Sequence, residues 1–236
     1  MPDYTRRSDE SELMDDLAIG GDELRQTLDQ LATINRLLGG YAPSISGVQR
    51  LLPAGCTAFS LLDVGCGSGD TCRQIDRWAT RRGIAVSQRG IDLHPDTIDH
   101  ARESTDSSGR ITFDVQDLFA LPDEPIADVV HAALVLHHFP GDSARKAVEK
   151  MARLARVGVV INDLHRHWFA YHSIRWLTRL LSRNRLIRHD AAVSVLRGFR
   201  RHEMIELATV PGFAPPAVRW RWAFRWEVVI RRAGIC

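Results

Sequence analysis

The sequence predicts an α/β fold, a mostly parallel sheet with helices on both faces, finished by an antiparallel hairpin. Three observations carry that expectation. Short apolar runs alternate with helical stretches along the middle of the chain. A glycine-rich turn, 65-GCGSG-69, directly follows the first apolar run. Two C-terminal runs, 217-AVRWRW-222 and 226-WEVVIR-231, lie too close together for a crossover helix and so must pair antiparallel.

The bulk composition sets the limits. A chain of 236 residues with 44% apolar and 25% charged residues fits one sizeable globular domain with small helical additions. A net charge of +2 exerts no global pull toward nucleic acid or an anionic surface. Nearly all the cations are arginines, with Lys146 and Lys150 the only lysines. Cys56, Cys66, Cys72 and Cys236 form neither a metal-type pair nor a disulfide framework, so reduced thiols in a cytoplasm are expected. The polar, acidic start MPDYTRRSDESELMDD is no signal peptide, and no run of about 18 apolar residues is present to span a bilayer.

Taken in order, Leu13, Met14 and Leu17 suggest a short helix. Leu24, Leu28, Leu31, Ile34 and Leu38 follow at helical spacing, from Asp22 as a starting cap to a Gly39-Gly40 stop. Together they make an N-terminal helical preface that either packs on the core or covers a site. After 43-PSISGVQRLLPAG-55 the strands begin: Phe59–Val64, Ala85–Ile91, Ile111–Val115, Ala127–Ala132 and Val157–Ile161, with helices over 69–82, 95–104 and 142–155. Residues 165–201 differ from the rest. They hold nine arginines, four histidines and one acid, Asp190, and read as helix, break, helix.

Ligands of an open parallel sheet bind beyond the carboxyl ends of its strands. The first strand delivers Gly65, Gly67 and Gly69, whose missing Cβ atoms permit a sharp turn and close approach of a ligand to the backbone. The spacing G-x-G-x-G is one residue short of the dinucleotide fingerprint. Asp70 at the following helix start, and Asp63 before the turn, favour a zwitterionic amino-acid group over a pyrophosphate. The second strand ends at Asp92, placed to accept from ribose hydroxyls. The third ends in 115-VQDL-118, where Asp117 accepts from an adenine amino group and Leu118 covers the ring.

The ordered series LDVGCGSGD, GIDLHP, VQDL and ADVVHAALVLHHF resembles class I S-adenosylmethionine-dependent methyltransferases, over roughly residues 58–165. The likeness is to the small-molecule branch that includes quinone-biosynthesis enzymes. The flanks NRLLGG at 35–40 and INDLHRHW at 161–168 are similar to methyltransferases found beside polyketide pathways, which act on phenolic or quinone-like products. The resemblance implies a Rossmann-like seven-stranded sheet, a helical cap over 1–45, a methyltransferase domain over 46–236, and 165–201 inserted as a lid. It implies contacts from Gly65, Gly67 and Gly69 to the methionine end of S-adenosylmethionine, from Asp92 to the ribose, and from Asp117 with Leu118 to the adenine. Asp63, Cys66, Leu93 and Ala133 complete the expected cofactor-binding set.

Transfer to a hydroxyl requires removal of its proton, a task suited to histidine near neutral pH. His137 and His138, in 134-LVLHHF-139 at the end of the fourth strand, are the first candidates. Asp163 with His165, at the end of the fifth, is the second pair; Asn162, Arg166 and His167 should face the same pocket. No metal is expected, because no carboxylate sits with His131 at the fourth-strand end and no Cys or Glu joins the histidines 137, 138, 165 and 167. Trp168, Phe169, Tyr171 and Trp176 offer the lid an aromatic lining, while Arg175 and Arg179 either meet an acidic substrate or face water, the latter favoured; Leu180 and Leu181 admit contact with a membrane surface. The acceptor is expected to be a small molecule methylated on a phenol, quinol or carboxylate oxygen, with carbon or nitrogen next. A nicotinamide oxidoreductase and a catalytically silent binding protein are the rivals. No nucleic-acid partner and no stable membrane insertion are expected, and a homodimer is left open.

Overall fold

The computed structural model of the protein describes residues 2–106 and 109–234, so Cys236 lies outside the described residues. Strands β1 (Ala58–Val64), β2 (Ala85–Asp92), β3 (Ile111–Val115), β4 (Ala127–Ala133), β5 (Ala155–Leu164), β6 (Ala217–Arg221) and β7 (Arg225–Arg231) form one sheet in the order β3-β2-β1-β4-β5-β7-β6. The first five are parallel, and β7 runs antiparallel to both β5 and β6. The chain therefore winds outward from β1 to β3, then returns to β4 on the other side. That reversal opens a crevice beyond the ends of β1 and β4.

Helices α1 (Gly21–Leu37) and α2 (Ala42–Leu51) precede the sheet. Helices α3 (Asp70–Thr80), α4 (Pro95–Glu103) and α5 (Ser143–Leu154) make the crossovers. Then α6 (Trp168–Leu181), α7 (Arg185–Arg197) and α8 (Arg201–Ala208) lie between β5 and β6. The central strands are apolar on both faces: Val130, Val159 and Ile161 pack with Met151, Leu154 and Met204, and Val129 and Val160 pack with Ile75, Trp78 and Leu51.

Helix α2 fills the segment before the first strand, to which the sequence assigns no element, and the 45/46 division falls inside it. Pro43 sits in its first turn, where no backbone donor is missed. Gly47 is needed against the sheet, since a Cβ there would stand 2.5 Å from Val160 Cγ1. A buried polar clamp holds the helix in place: Ser44 Oγ lies 2.9 Å from His131 Nε2 and accepts from Asn162 Nδ2 at 2.9 Å. The short helix expected around Leu13, Met14 and Leu17 is a single 3-10 turn, Leu13–Asp15, that stops where Asp16 becomes extended.

Residues 4–21 run as a strap across the crevice, tied mostly by polar contacts. Arg166 Nε donates to Tyr4 O, and Ser8 N to Leu196 O. Arg7 Nη2 donates to the carbonyls of His137 and Phe139, both at 2.9 Å. The Leu13 and Met14 amides donate to the two oxygens of the buried Asp190 carboxylate. At the other end His94 Nε2 is 2.9 Å from Ile19 O, and Gly21 N donates to Asp96.

Candidate active site

The crevice encloses about 1260 Å³, more than the roughly 300–1,000 Å³ of a typical single-ligand pocket. It has room for a nucleotide-sized cofactor and a second molecule.

One wall is the turn after β1. Gly65, Gly67 and Gly69 all have positive φ, at 62°, 53° and 73°, the left-handed region that costs residues with a Cβ roughly 1–2 kcal/mol. A Cβ on Gly65 would lie 2.2 Å from Val135 Cγ2, whereas one on Gly67 would meet nothing within 4 Å. Gly67 therefore keeps a bare backbone against open space, as a closely approaching ligand needs. Asp92 is half-buried, and its carboxylate accepts from Gly67 N and His94 N, each at 3.0 Å. Burial pushes its pKa up despite those bonds. Asp117 accepts from Phe119 N at 2.9 Å and so caps the turn carrying the buried Leu118. Gly65, Gly67, Asp92, Asp117 and Leu118 line the crevice, as do Leu93 and Ala133, whereas Gly69 does not: it turns toward Phe113, whose Cζ a Cβ there would approach to 2.4 Å.

Asp63 and Cys66 also line the crevice, at its buried floor. Asp63 pairs across the sheet with His131, and its Oδ1 lies 2.7 Å from His131 Nδ1. Cys72 Sγ donates to its other oxygen at 3.2 Å. Cys66 packs its side chain near Phe113 and Gly90, and burial pushes its thiol and that of Cys72 well above the ordinary range. Both thiols are inert at neutral pH.

Two wall residues escaped the sequence reading. The Tyr41 hydroxyl donates to Asp70 Oδ2 at 2.6 Å; burial and that acid together raise its pKa. Arg225, at the start of β7, is buried with one Nη on Asn35 Oδ1, and its Nε has no partner. Burial pushes this guanidinium down to about 10, so it remains charged at neutral pH. The motif NRLLGG at 35–40 stops one residue short of Tyr41 and signals the region but not its chemistry.

The opposite wall is the tip of β4. His137 is buried, with Nδ1 2.7 Å from Asp163 Oδ1. His138 is partly exposed, with Nδ1 2.6 Å from Asp15 Oδ1. Burial acts to raise Asp163, but the His137 imidazole and the Leu164 amide hold it below the usual carboxylate range. Between the two rings sits Glu12 from the strap, also buried, with a pKa raised by burial. Its oxygens lie 3.5 Å from His137 Nε2 and 3.9 Å from His138 Nε2. The sequence reading found no Glu to accompany these histidines; the strap supplies one. Nothing local in SELMDD marks Glu12 or Asp15 as site residues.

The expected Asp163–His165 pair does not form. Asp163 turns to His137, while β5 ends at Leu164 and the chain bends off through a bridge between His165 and Phe199. The His165 ring packs 4.7 Å from Trp226, centroid to centroid, and 5.4 Å from His167. None of His165, Arg166 and His167 lines the crevice. Arg166 is instead fully buried, donating to Gly198 O at 2.5 Å and Glu203 Oε1 at 2.7 Å.

Burial, with the charges of His167, Arg166 and Arg200, lowers the His165 pKa to about 4 from an ordinary 6.5. The unfolded chain therefore takes up a proton that the folded chain refuses. That contribution is full above pH 6.5 and is lost as pH falls to about 4. Discounted for partial exposure, it amounts to about 1–2 kcal/mol. Urea unfolding at pH 7 and pH 4.5 should show that loss in the wild type and a smaller one in His165→Gln; equal losses would contradict it.

The lid behaves as a lining on one face only. Trp168, Phe169 and Trp176 line the crevice, and Tyr171 packs instead against Ala192, Val195 and Leu196. Arg175 lies over Tyr171, with its Cζ 5.9 Å from the ring centroid, and Arg179 is exposed. Neither lines the crevice. No helix among the described residues is long and apolar enough to cross a membrane.

Comparison with known proteins places this geometry. Residues 61–158 match a family described as a methyltransferase domain. Over 98 residues the chain is 33% identical to indolepyruvate C-methyltransferase of Streptomyces griseus, a stretch that is 39% of this chain and 28% of that protein. Among solved structures it is similar to the plantazolicin methyltransferase BpumL in complex with SAH, with a TM-score of 0.66 and 14% identity over 88% of this chain and 89% of that one. It is also similar to magnesium protoporphyrin IX methyltransferase from Synechocystis PCC 6803 with bound SAH, with a TM-score of 0.52 and 16% identity over 98% and 91% of the two chains. At these identities the structural likeness is one of fold.

Proposed function

For a chain with the class I S-adenosylmethionine-dependent methyltransferase fold, we propose methyl transfer from that cofactor to an apolar small molecule, at the oxygen of a phenol, quinol or carboxylate. The observation that carries this reading is a single cavity with two differently equipped walls. One wall has the bare Gly67 backbone beside Asp92 and Asp117; the other has His137, His138 and Glu12.

The residues fit the cofactor. Gly67 and the start of α3 receive its amino-acid end, and Arg225 offers an unpaired buried Nε for the carboxylate. Asp92 retains acceptor capacity for ribose hydroxyls beyond its two backbone bonds. Asp117 accepts from the adenine amino group while Leu118 and Ile91 supply apolar walls. When bound, S-adenosylmethionine supplies a methyl on a positively charged sulfur, open to in-line displacement.

The chain's own part is to hold, dry and ionise the acceptor. Leu28, Leu31, Phe139 and Trp168 give the acceptor an apolar bed, which favours an aromatic or alkyl-bearing molecule. The strap and α6 cover it from water. Fixing a nucleophile in line in this way contributes several kcal/mol, up to about 7–11 in favourable cases. The cluster of His137, His138 and Glu12 takes charge of the acceptor's proton, with Asp163 and Asp15 orienting the two rings. The C-methyltransferase name of the matched Streptomyces griseus relative supports a second reading, methylation of an acidic carbon, which asks the same cluster for the same proton removal.

Equilibrium binding of labelled S-adenosylmethionine, with NADH as control, tests the cofactor. Incubation with phenols, quinols and 2-oxo acids, followed by mass spectrometry of the product, locates the methyl. Binding of the sulfonium cofactor without NADH is expected; the opposite pattern would reverse the assignment.

A further inference from the structure

Each histidine at the tip of β4 is braced from behind by an acid. Asp163 accepts at His137 Nδ1 and Asp15 at His138 Nδ1. A carboxylate on Nδ1 holds that ring N–H, fixes the tautomer, and leaves the lone pair on Nε2. Both Nε2 atoms turn toward one carboxylate, Glu12, at 3.5 and 3.9 Å. Those separations are too long for good hydrogen bonds. They suit donor atoms arranged around a common point. The three ligating atoms all lie within 4.8 Å of one another.

Glu12 adds an independent sign. It is buried, and its Oε1 has no hydrogen-bond partner. A buried carboxylate oxygen without a partner is costly. Arg197 does not repair this, because its Nη1 is 3.8 Å from Glu12 and bonds Asp15 Oδ2 at 2.6 Å. Its remaining donors go to the His137 and His138 carbonyls. Arg7 is likewise committed to carbonyl oxygens.

We propose that Glu12, His137 and His138 bind a divalent first-row transition ion, such as Zn(II), Co(II) or Fe(II), with an open position toward the crevice. Two imidazoles and one carboxylate suit such ions, whereas Mg(II) and Ca(II) prefer all-oxygen sets. The acid behind each imidazole is the usual outer partner of a metal-bound histidine. The use of the ion, though not its binding, rests on the methyl-transfer reading. An acceptor oxygen held at the open position becomes more acidic and releases its proton to water. Its electron pair then forms the bond to the methyl carbon as the sulfur–carbon bond breaks, sulfur keeping that pair and the ion unchanged. The imidazoles then serve as ligands, not as bases.

The full chain, treated with chelator and desalted, is titrated with Co(II) and followed by visible absorption, and with Zn(II) followed by elemental analysis. Cofactor binding is measured by calorimetry on the same samples. Close to one ion per chain is expected, with affinity lowered at least tenfold in both Glu12→Gln and His138→Ala. Asp15→Asn should lower it by about 10–100-fold, as loss of an outer partner does. Substoichiometric binding by the wild type, or stoichiometric binding that folded Glu12→Gln and His138→Ala chains retain, would overturn the site. Full methyl transfer after chelation would overturn the ion's role. Failure of the wild type to bind S-adenosylmethionine would instead strike the methyl-transfer reading and leave the Co(II) result standing.

Discussion

Replacing His137 by Asn is expected to lower methyl transfer by about two to four orders of magnitude, with cofactor affinity kept within about threefold. Asn is chosen over Ala for a physical reason. His137 is buried against Asp163, and leaving the buried Asp163 carboxylate without that donor would cost about 1–3 kcal/mol or more. An Asn amide stands near the position of Nδ1 and still donates to Asp163. It has nothing at the place of Nε2, the atom turned toward Glu12 and the acceptor. The backbone carbonyl of residue 137, which receives Arg7 and Arg197, is untouched. The loss should therefore fall on kcat, not on folding or on cofactor binding. Wild-type kcat in a folded His137→Asn chain would remove the histidine cluster from the chemistry, whichever way that cluster ionises the acceptor.

Asp92→Ala is the counterpart on the other wall. Its carboxylate is half-buried and engaged by the Gly67 and His94 amides. Two ribose hydroxyls donating to an ionised acid contribute about 1.5–3 kcal/mol each. Their loss should weaken cofactor binding by about 100-fold or more. Asp92→Asn, which keeps an acceptor for one backbone amide but not the charge, should fall between. Calorimetry with S-adenosylhomocysteine reads this directly. Equal affinity in all three proteins would show that the nucleotide lies elsewhere. The two substitutions should separate cleanly, since His137→Asn acts on turnover and Asp92→Ala on cofactor affinity.

The parallel strands were legible because their signal is local. Buried runs bounded by glycine and acids placed β1 to β4 within about a residue of Ala58–Val64, Ala85–Asp92, Ile111–Val115 and Ala127–Ala133. The strand-tip acids follow from the same reading, since the end of a strand in a parallel sheet fixes where its next residue stands. Helix α2 was not legible. Pro43 and Gly47 look like breakers in sequence, and only the approach of Val160 explains why a glycine helps the helix there. The expected pairing of Asp163 with His165 assumes that both lie just past a strand ending at Ile161; β5 instead runs on to Leu164, so Asp163 stays in the sheet and only His165 leaves it. Glu12 and Asp15 lay beyond reach for a different reason. Their partners, His137, His138 and Arg197, are far along the chain, and an irregular acidic segment carries no periodicity that says where it docks.

The strap and the sheet are held by different forces, and this sets an order of opening. The sheet is closed by apolar burial across Val130, Val159 and Ile161. The strap hangs from Arg166, Arg7, Asp190 and Asp96 by hydrogen bonds to backbone. Contacts of that kind yield to water one at a time, so the segment carrying Glu12 and Asp15 can swing off while the platform beneath stays assembled. Amide hydrogen exchange should therefore run faster along residues 4–21 than along β4 and β5.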